Sequence, residues 1–217
     1  MTREILKQLS YMGVDPRFIS IYDKHIYINN LRFSRFSRKK EDQLKSRYPD
    51  WKVVRSKVFQ KMCIRASRIL SQIIKPGDEI YVKRNKECAD IILYLILEPY
   101  QRKYGIEIIC LDGLDDLKEG IIAMPLTLDH EVGNIIHQIF NGEQIKLTGT
   151  ETGKENIKVI HPLINIPNSW IMEWASKEFI KCSRAPMDKV SDELIRFLEP
   201  YIPDVRENML KSAHYLS

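Results

Sequence analysis

The sequence predicts an α/β fold with an open, mostly parallel sheet and helices on both faces, preceded by a basic helical N-terminal segment. After Gly77, short apolar runs that suit strands alternate with longer stretches of helical periodicity. Before Gly77, the chain is basic and its apolar residues recur at about one helical turn. Alternating strands and helices are typical of parallel sheets, because each crossover places a helix on a face of the sheet. We therefore expect a basic, mainly helical region over residues 1–73 and an α/β domain with a C-terminal helical tail over residues 74–217.

Periodicity and turn residues place the individual elements of the first region. The expected elements are a helix over Met1–Met12, a hairpin-like piece over Ile26–Phe33 and a long amphipathic helix over Trp51–Ile74. The hairpin turn is expected at Asn29 and Asn30, because asparagine is common in tight turns.

The second region is expected to alternate between strand and helix. Its predicted strands are Glu79–Val82, Ile106–Leu111, Ile121–Met124 and Ile157–His161, and its predicted helices are Ala89–Tyr104, His130–Phe140 and Ser169–Glu178. Pro99 is expected to bend the first of these helices.

Composition excludes several classes of protein. The longest apolar stretch, Ile91–Leu97, is too short to cross a bilayer, and no apolar run follows Arg3 and Lys7 as in a signal peptide. The four cysteines include no C-x-x-C pair, so we expect ordinary buried or half-buried thiols rather than a disulfide framework. A soluble cytoplasmic protein that does not engage a membrane is expected, and its richness in Lys, Ile and Glu suggests an archaeal source.

Positive charge is concentrated in one segment. Residues 32–68 contain 13 Lys or Arg against 3 Asp or Glu, whereas the whole chain carries a net charge of only +5. Phe33 and Phe36 lie within this segment and could stack on splayed bases. The segment therefore predicts RNA binding, with a solvated helix face as the alternative. The predicted RNA-binding residues are Arg32, Arg35, Arg38, Lys39 and Lys40.

The turn after the first strand of the second region carries a family resemblance. Ile74–Val82 resembles the lead-in of PP-loop ATPases, where a sequence of the type I-K-P-G-D-x-V-x-V precedes the pyrophosphate-binding turn S-G-G-K-D-S. In this chain the six positions of that turn hold Asn85, Lys86, Glu87, Cys88, Ala89 and Asp90. Glycines let the backbone approach phosphates at a helix N-terminus, whereas side chains fill that space and Glu87 adds negative charge. The resemblance therefore implies a degenerate nucleotide loop.

Further segments match the same family in register. Leu128–Glu131 resembles its L-D-D-E block, with Asp129 and Glu131 kept and His130 in place of the second aspartate. His161–Leu163 resembles an R-P-L segment with histidine in place of arginine. Cys182 lies where the tRNA 2-thiolation enzymes of this family keep the third of three functional cysteines, so it is a candidate cluster ligand, with a structural thiol as the alternative.

The resemblance is closest to the non-catalytic subunit of the heterodimeric cytosolic tRNA 2-thiolation complex. It implies a PP-loop or HUP-like fold, no catalytic residue and no cofactor in this chain, and it leaves ATP and an iron–sulfur cluster to the partner. The implied partners are a catalytic PP-loop thiolase and tRNA carrying the wobble uridine. Two other functions stay open: a tRNA-modifying enzyme that binds a nucleotide through Asn85, Asp129 and Glu131, and a stand-alone RNA-binding module.

Two further pairs of side chains each lie on one face of a predicted helix. Trp170 and Trp174 share a face of one predicted helix and are expected to contact the partner, with packing on the sheet as the alternative. His130 and His137 lie two helical turns apart without a third ligand nearby, so no metal site is predicted.

Overall fold

The computed structural model describes residues 2–113, 117, 119–148 and 156–216, with helices and strands in the following order. The helices are α1 (Thr2–Tyr11), α2 (Leu31–Ser34), α3 (Arg38–Arg47), α4 (Lys57–Ile73), α5 (Cys88–Leu97), α6 (Tyr100–Tyr104), α7 (Leu128–Phe140), α8 (Asn168–Lys177), α9 (Lys189–Leu198) and α10 (Val205–Leu216). The strands are β1 (Ile19–Tyr22), β2 (His25–Ile28), β3 (Lys52–Val54), β4 (Glu79–Lys83), β5 (Glu107–Leu111), β6 (Gly120–Ala123) and β7 (Ile157–Ile160).

The N-terminal region contains a small sheet that was not predicted from the sequence. Strand β1 pairs antiparallel with β2, and β2 pairs parallel with β3. The hairpin turn lies at Asp23 and Lys24, which have φ angles of 43° and 58°, so the predicted turn at Asn29 and Asn30 is wrong. Asn30 instead caps α2, because its Oδ1 accepts a hydrogen bond from the Phe33 N–H.

The long basic helix begins six residues later than predicted. Trp51 is buried and leads into β3, and Ser56 then caps α4 by accepting a hydrogen bond from the Phe59 N–H. The buried face of α4 includes Phe59 and Leu70, which belong to the same apolar core as α5 and α8. Helix α4 is therefore part of the core of the α/β domain, although its composition predicted that it belongs to the preceding region.

The main sheet confirms the predicted fold class. Its four strands are ordered β5-β4-β6-β7, and every pairing between them is parallel. The predicted helix Ala89–Tyr104 is interrupted at Pro99, which separates α5 from α6. No helix in the described part of the chain is long and apolar enough to cross a membrane.

The strand order creates a crevice at one edge of the sheet. The chain leaves β4 toward β5 on one side and returns to β6 on the other side of β4. In open α/β sheets, ligands bind beyond the carboxyl ends of the strands at such a reversal. The turn after β4 and the segment between β6 and α7 therefore flank the position where this fold offers a binding site.

Candidate functional site

The turn after β4 contains the residues that the sequence predicted as a degenerate nucleotide loop. Its backbone continues the β4–β5 ladder, because the Arg84 N–H donates to the Leu111 carbonyl at 2.7 Å. The Asn85 Oδ1 then accepts a hydrogen bond from the Lys86 N–H at 2.8 Å. Glu87 precedes α5 in an extended conformation, and its side chain makes no capping hydrogen bond.

A segment that follows α8 closes this loop. The Cys88 N–H, at the first residue of α5, donates to the Ser183 carbonyl at 2.9 Å, and the Ser183 N–H donates to the Lys86 carbonyl at 3.1 Å. Glu87 and Ser183 thus form a parallel bridge. We refer to residues 182–184 as the strap. The strap occupies the hydrogen-bonding position at the start of α5 that a phosphate would use.

A disulfide bond between Cys88 and Cys182 fastens the strap to α5, with an S–S distance of 2.08 Å. The expectation that the cysteines are unpaired thiols is therefore wrong for this pair, although Cys63 and Cys110 are free. The two bonded cysteines are 94 residues apart. Their pairing depends on the path of the chain around the sheet, which no local sequence pattern reveals.

Asp90 lies buried in the first turn of α5. Its Oδ2 has no hydrogen-bond partner among the described residues. Burial raises the pKa of Asp90 to about 6, and the nearby Glu87 carboxylate adds to this effect, whereas Lys83 and a hydrogen bond from Asn85 oppose it. Asp90 is thus a carboxyl group that titrates near neutral pH at the edge of the closed loop.

The two carboxylates in the first turn of α7 are buried and hydrogen-bonded within the fold. Asp129 is buried, and its Oδ1 accepts a hydrogen bond from the Arg206 Nε at 2.7 Å. Its Oδ2 accepts a hydrogen bond from the Asn168 N–H at 2.6 Å. Asp129 thereby ties α7 to the start of α8 and to α10.

Glu131 is likewise turned inward. It is fully buried, and its Oε1 accepts a hydrogen bond from the Thr148 N–H at 2.8 Å. His130 lies between the two carboxylates, with its Nδ1 2.8 Å from the Thr127 Oγ1. This arrangement contradicts the prediction that Asp129 and Glu131 face a nucleotide.

The residues at the crevice do not fit ATP or an iron–sulfur cluster, the groups that the resemblance leaves to the partner. A triphosphate would need free N–H groups at the start of α5, whereas the Cys88 N–H is bonded to the strap. An iron–sulfur cluster would need several convergent thiolates, whereas Cys182 is consumed in the disulfide bond. No group of three or more His, Cys, Asp or Glu in the described ranges could hold a metal ion.

The predicted RNA-binding residues separate into exposed and structural ones. Arg32, Arg35, Arg38 and Lys39 are exposed. Lys40 instead donates two hydrogen bonds from its Nζ, at 2.8 Å each, to the carbonyls of Gly13 and Arg35. The Lys40 ammonium therefore holds two loops together, and its role in RNA binding stays a prediction.

The two phenylalanines of the basic segment also differ. Phe36 is buried in the N-terminal core, with the Arg55 guanidinium 5.7 Å from its ring centroid. Phe33 is 53% exposed. Of the two rings, Phe33 is thus the one available for stacking on a base.

The two tryptophans of α8 do not form a shared outer surface. Trp174 is fully buried and contacts the rings of Tyr27 and Phe59, with centroids 5.8 Å and 6.0 Å away. Trp170 is half-buried under the Arg65 guanidinium, 4.4 Å from its centroid. The prediction that Trp174 contacts a partner is therefore wrong, because its ring is buried against Tyr27 of β2 and Phe59 of α4.

The chain is similar in sequence to one known protein and in fold to another. No protein-family profile matches the chain. Over 138 residues, the chain is 29% identical to a protein of Methanocaldococcus jannaschii described as a probable sulfurtransferase, a match that covers 59% of this chain and 41% of that protein. The chain thus spans about two fifths of the length of this relative.

A solved structure supports the fold. The chain superposes on the U34-tRNA thiolase NcsA from Methanococcus maripaludis, solved with its 4Fe-4S cluster, with a TM-score of 0.56 and 12% identity over 73% of this chain and 78% of that chain. This chain is therefore similar in fold to a tRNA thiolase and in sequence to a probable sulfurtransferase.

Proposed function

We propose that this chain is a non-catalytic subunit that supports 2-thiolation of the wobble uridine of tRNA. In this proposal it pairs with a catalytic PP-loop thiolase and adds tRNA-binding surface to it. The similarity to a probable sulfurtransferase and to a tRNA thiolase supports a role related to tRNA thiolation.

The observation that carries the non-catalytic part is the closure of the loop after β4 by the chain itself. The strap takes the first N–H of α5, and the disulfide bond to Cys182 fixes it there. Lys86 and Glu87 stand where glycines would let a phosphate approach. ATP therefore has no site of the PP-loop type in this chain, and we assign ATP and any iron–sulfur cluster to the partner.

The exposed cations support the tRNA-binding part. Arg32, Arg35, Arg38 and Lys39 lie within eight consecutive residues of the N-terminal region. Neutralising phosphates is the main source of sequence-independent affinity for RNA. The competing enzyme hypothesis gains no support from Asp129, because Arg206 and Asn168 already occupy its carboxylate.

Reconstituted thiolation tests this proposal. The chain would be tagged at its exposed C-terminal helix, purified from its native cells with any partner, and then also prepared alone. Each preparation would receive tRNA, ATP and a sulfur donor, and 2-thiouridine would be measured by mass spectrometry of the nucleosides. The product is expected from the complex and not from the chain alone. Thiolation by the chain alone would overturn the proposal, and tRNA binding without thiolation in either preparation would favour the stand-alone RNA-binding module.

A further inference from the structure

A cleft opens where the N-terminal region meets α4 and α6. It measures about 200 Å³. Its lining residues come from segments that are far apart in the sequence and include Arg17, Phe18, Asn30, Phe33, Ile64 and Lys103. No residue that lines this cleft in the described part of the chain is acidic. A ligand here would meet positive charge and apolar surface together.

Phe33, which lines the cleft, packs against a second aromatic ring. The centroids of Phe33 and Phe18 are 5.2 Å apart, and the two ring planes are tilted by 32°. The Asn30 side chain fixes the backbone of Phe33 by capping α2. Phe33 nevertheless keeps about half of its surface in solvent. A half-exposed ring that its neighbours hold in place suits stacking by a second planar group.

Cations surround these rings. The Arg32 guanidinium lies 5.9 Å from the Phe33 centroid. The Lys103 ammonium lies 6.0 Å from the Phe18 centroid and 5.1 Å from the Tyr100 centroid. Neither Arg32 nor Lys103 takes part in any salt bridge between described residues. Asp15 partly offsets Arg17, whose guanidinium it binds at 2.8 Å, so Arg32 and Lys103 supply the uncompensated charge.

A planar group that carries negative charge matches this combination. Proteins bind single-stranded nucleic acid by stacking bases on aromatic side chains while cations follow the backbone. The chain also continues from Phe33 into the exposed cations Arg35, Arg38 and Lys39, which would suit further phosphates of the same strand. An apolar peptide would leave this charge without a partner.

We propose that this cleft binds one unpaired base of an RNA strand, stacked on Phe33, with the adjacent phosphates facing Arg32 and Lys103. This site rests on the proposed tRNA-binding function and specifies where and in what conformation the RNA is held. Because a base inside a duplex cannot reach the ring, the site selects a splayed nucleotide in a loop, a bulge or a free end.

Anisotropy with labelled RNA tests the site. The full chain and the variants Phe33→Ala, Phe33→Trp and Phe179→Ala would be titrated into a single-stranded heptamer and a blunt duplex. Phe179→Ala is the matched control, because Phe179 is 86% exposed but belongs to the segment after α8. Phe33→Ala should weaken binding of the heptamer by roughly 5- to 150-fold and leave the duplex unaffected. Phe33→Trp should retain the affinity, and its fluorescence should be quenched by the RNA.

The salt dependence of RNA affinity distinguishes the stacking site at Phe33 from RNA binding by the cations in general. Phe33→Ala should leave the slope of log affinity against log salt unchanged, whereas Arg32→Ala or Lys103→Ala should each reduce it by roughly 0.7. Equal affinity of Phe33→Ala and the unchanged chain for the heptamer would reject the stacking site while leaving the RNA surface intact. Failure of the unchanged chain to bind any RNA would reject both. Equal binding of the free mononucleotide AMP and the heptamer would reject the strand as the ligand.

Discussion

The disulfide bond between Cys88 and Cys182 joins the first residue of α5 to the segment after α8. It thereby closes the one turn of the fold at which a PP-loop protein would bind phosphate. The strap and the loop act in the same direction. The strap takes the Cys88 N–H at the start of α5, and Lys86 and Glu87 stand where glycines would let a phosphate approach.

Removing this disulfide bond should destabilise the chain. Cross-linking residues 94 positions apart restricts the unfolded chain strongly, so Cys182→Ser, or a dithiol reductant, should lower the free energy of unfolding by about 2–5 kcal/mol. Urea denaturation with and without the reductant measures this change. Cys110→Ser is the control, because Cys110 is free. Identical midpoints for Cys182→Ser and Cys110→Ser would show that the strap is not fastened in solution.

The buried Asp90 should make stability depend on pH. Burial raises the pKa of Asp90 in the folded chain to about 6 from 3.8, so the Asp90 carboxyl keeps its proton to a higher pH in the folded chain than in the unfolded chain. The resulting contribution of Asp90 to the free energy of unfolding is fully present below about pH 4 and is lost as the pH rises to about 6. Asp90→Asn should therefore be more stable than the unchanged chain by about 1–3 kcal/mol at pH 7 and show no gain at pH 4.

Thermal and urea unfolding at the two pH values measure the effect of Asp90→Asn. The exposed Asp42 on α3 provides the control Asp42→Asn, which removes a carboxylate that is not buried. A gain for Asp90→Asn that does not depend on pH would contradict the raised pKa.

The two tryptophans of α8 should respond differently to truncation. Trp174→Ala removes a fully buried ring that packs on Tyr27 and Phe59, and it should cost about 3–5 kcal/mol of stability. Trp170→Ala should cost less, because Trp170 is only half-buried. Circular dichroism with urea titration gives both values. A fully stable Trp174→Ala variant would contradict the placement of this ring in the core.

Reversing three exposed charges should weaken tRNA binding and flatten its salt dependence. With Arg35, Arg38 and Lys39 changed to Glu, the slope of log affinity against log salt should fall by roughly 0.7–0.9 for each phosphate that these side chains no longer neutralise. The exposed Lys158, Lys189 and Lys211, on β7, α9 and α10, provide a matched reversal of three charges outside the basic segment. If both sets of variants change the slope equally, the basic segment is an ordinary solvated face.

The sequence was sufficient for the features that local patterns encode. Alternation of apolar runs after Gly77 predicted the parallel sheet, and Pro99 marked the break between α5 and α6. The hairpin of β1 and β2 was misplaced, because its turn uses Asp23 and Lys24 in left-handed conformations that have no strong sequence signal.

The site was harder to predict, because its parts meet only in the folded chain. The sequence predicts that the Asp129 carboxylate faces a ligand, whereas in the fold it binds Arg206, which lies 77 residues later. Lys103 lies outside the basic segment, yet its ammonium lies beside Phe18. Phe36 and Phe33 look equivalent in the sequence, and only burial distinguishes them.

Calorimetric titration of the purified chain with ATP tests the central claim most directly. It should be carried out on the oxidised chain and repeated with a dithiol reductant, because reduction breaks the bond between Cys88 and Cys182 but leaves the side chains of Lys86 and Glu87 in the loop. The account predicts no saturable heat at millimolar ATP in either state. Saturable binding of ATP at micromolar concentration by the isolated chain would contradict it.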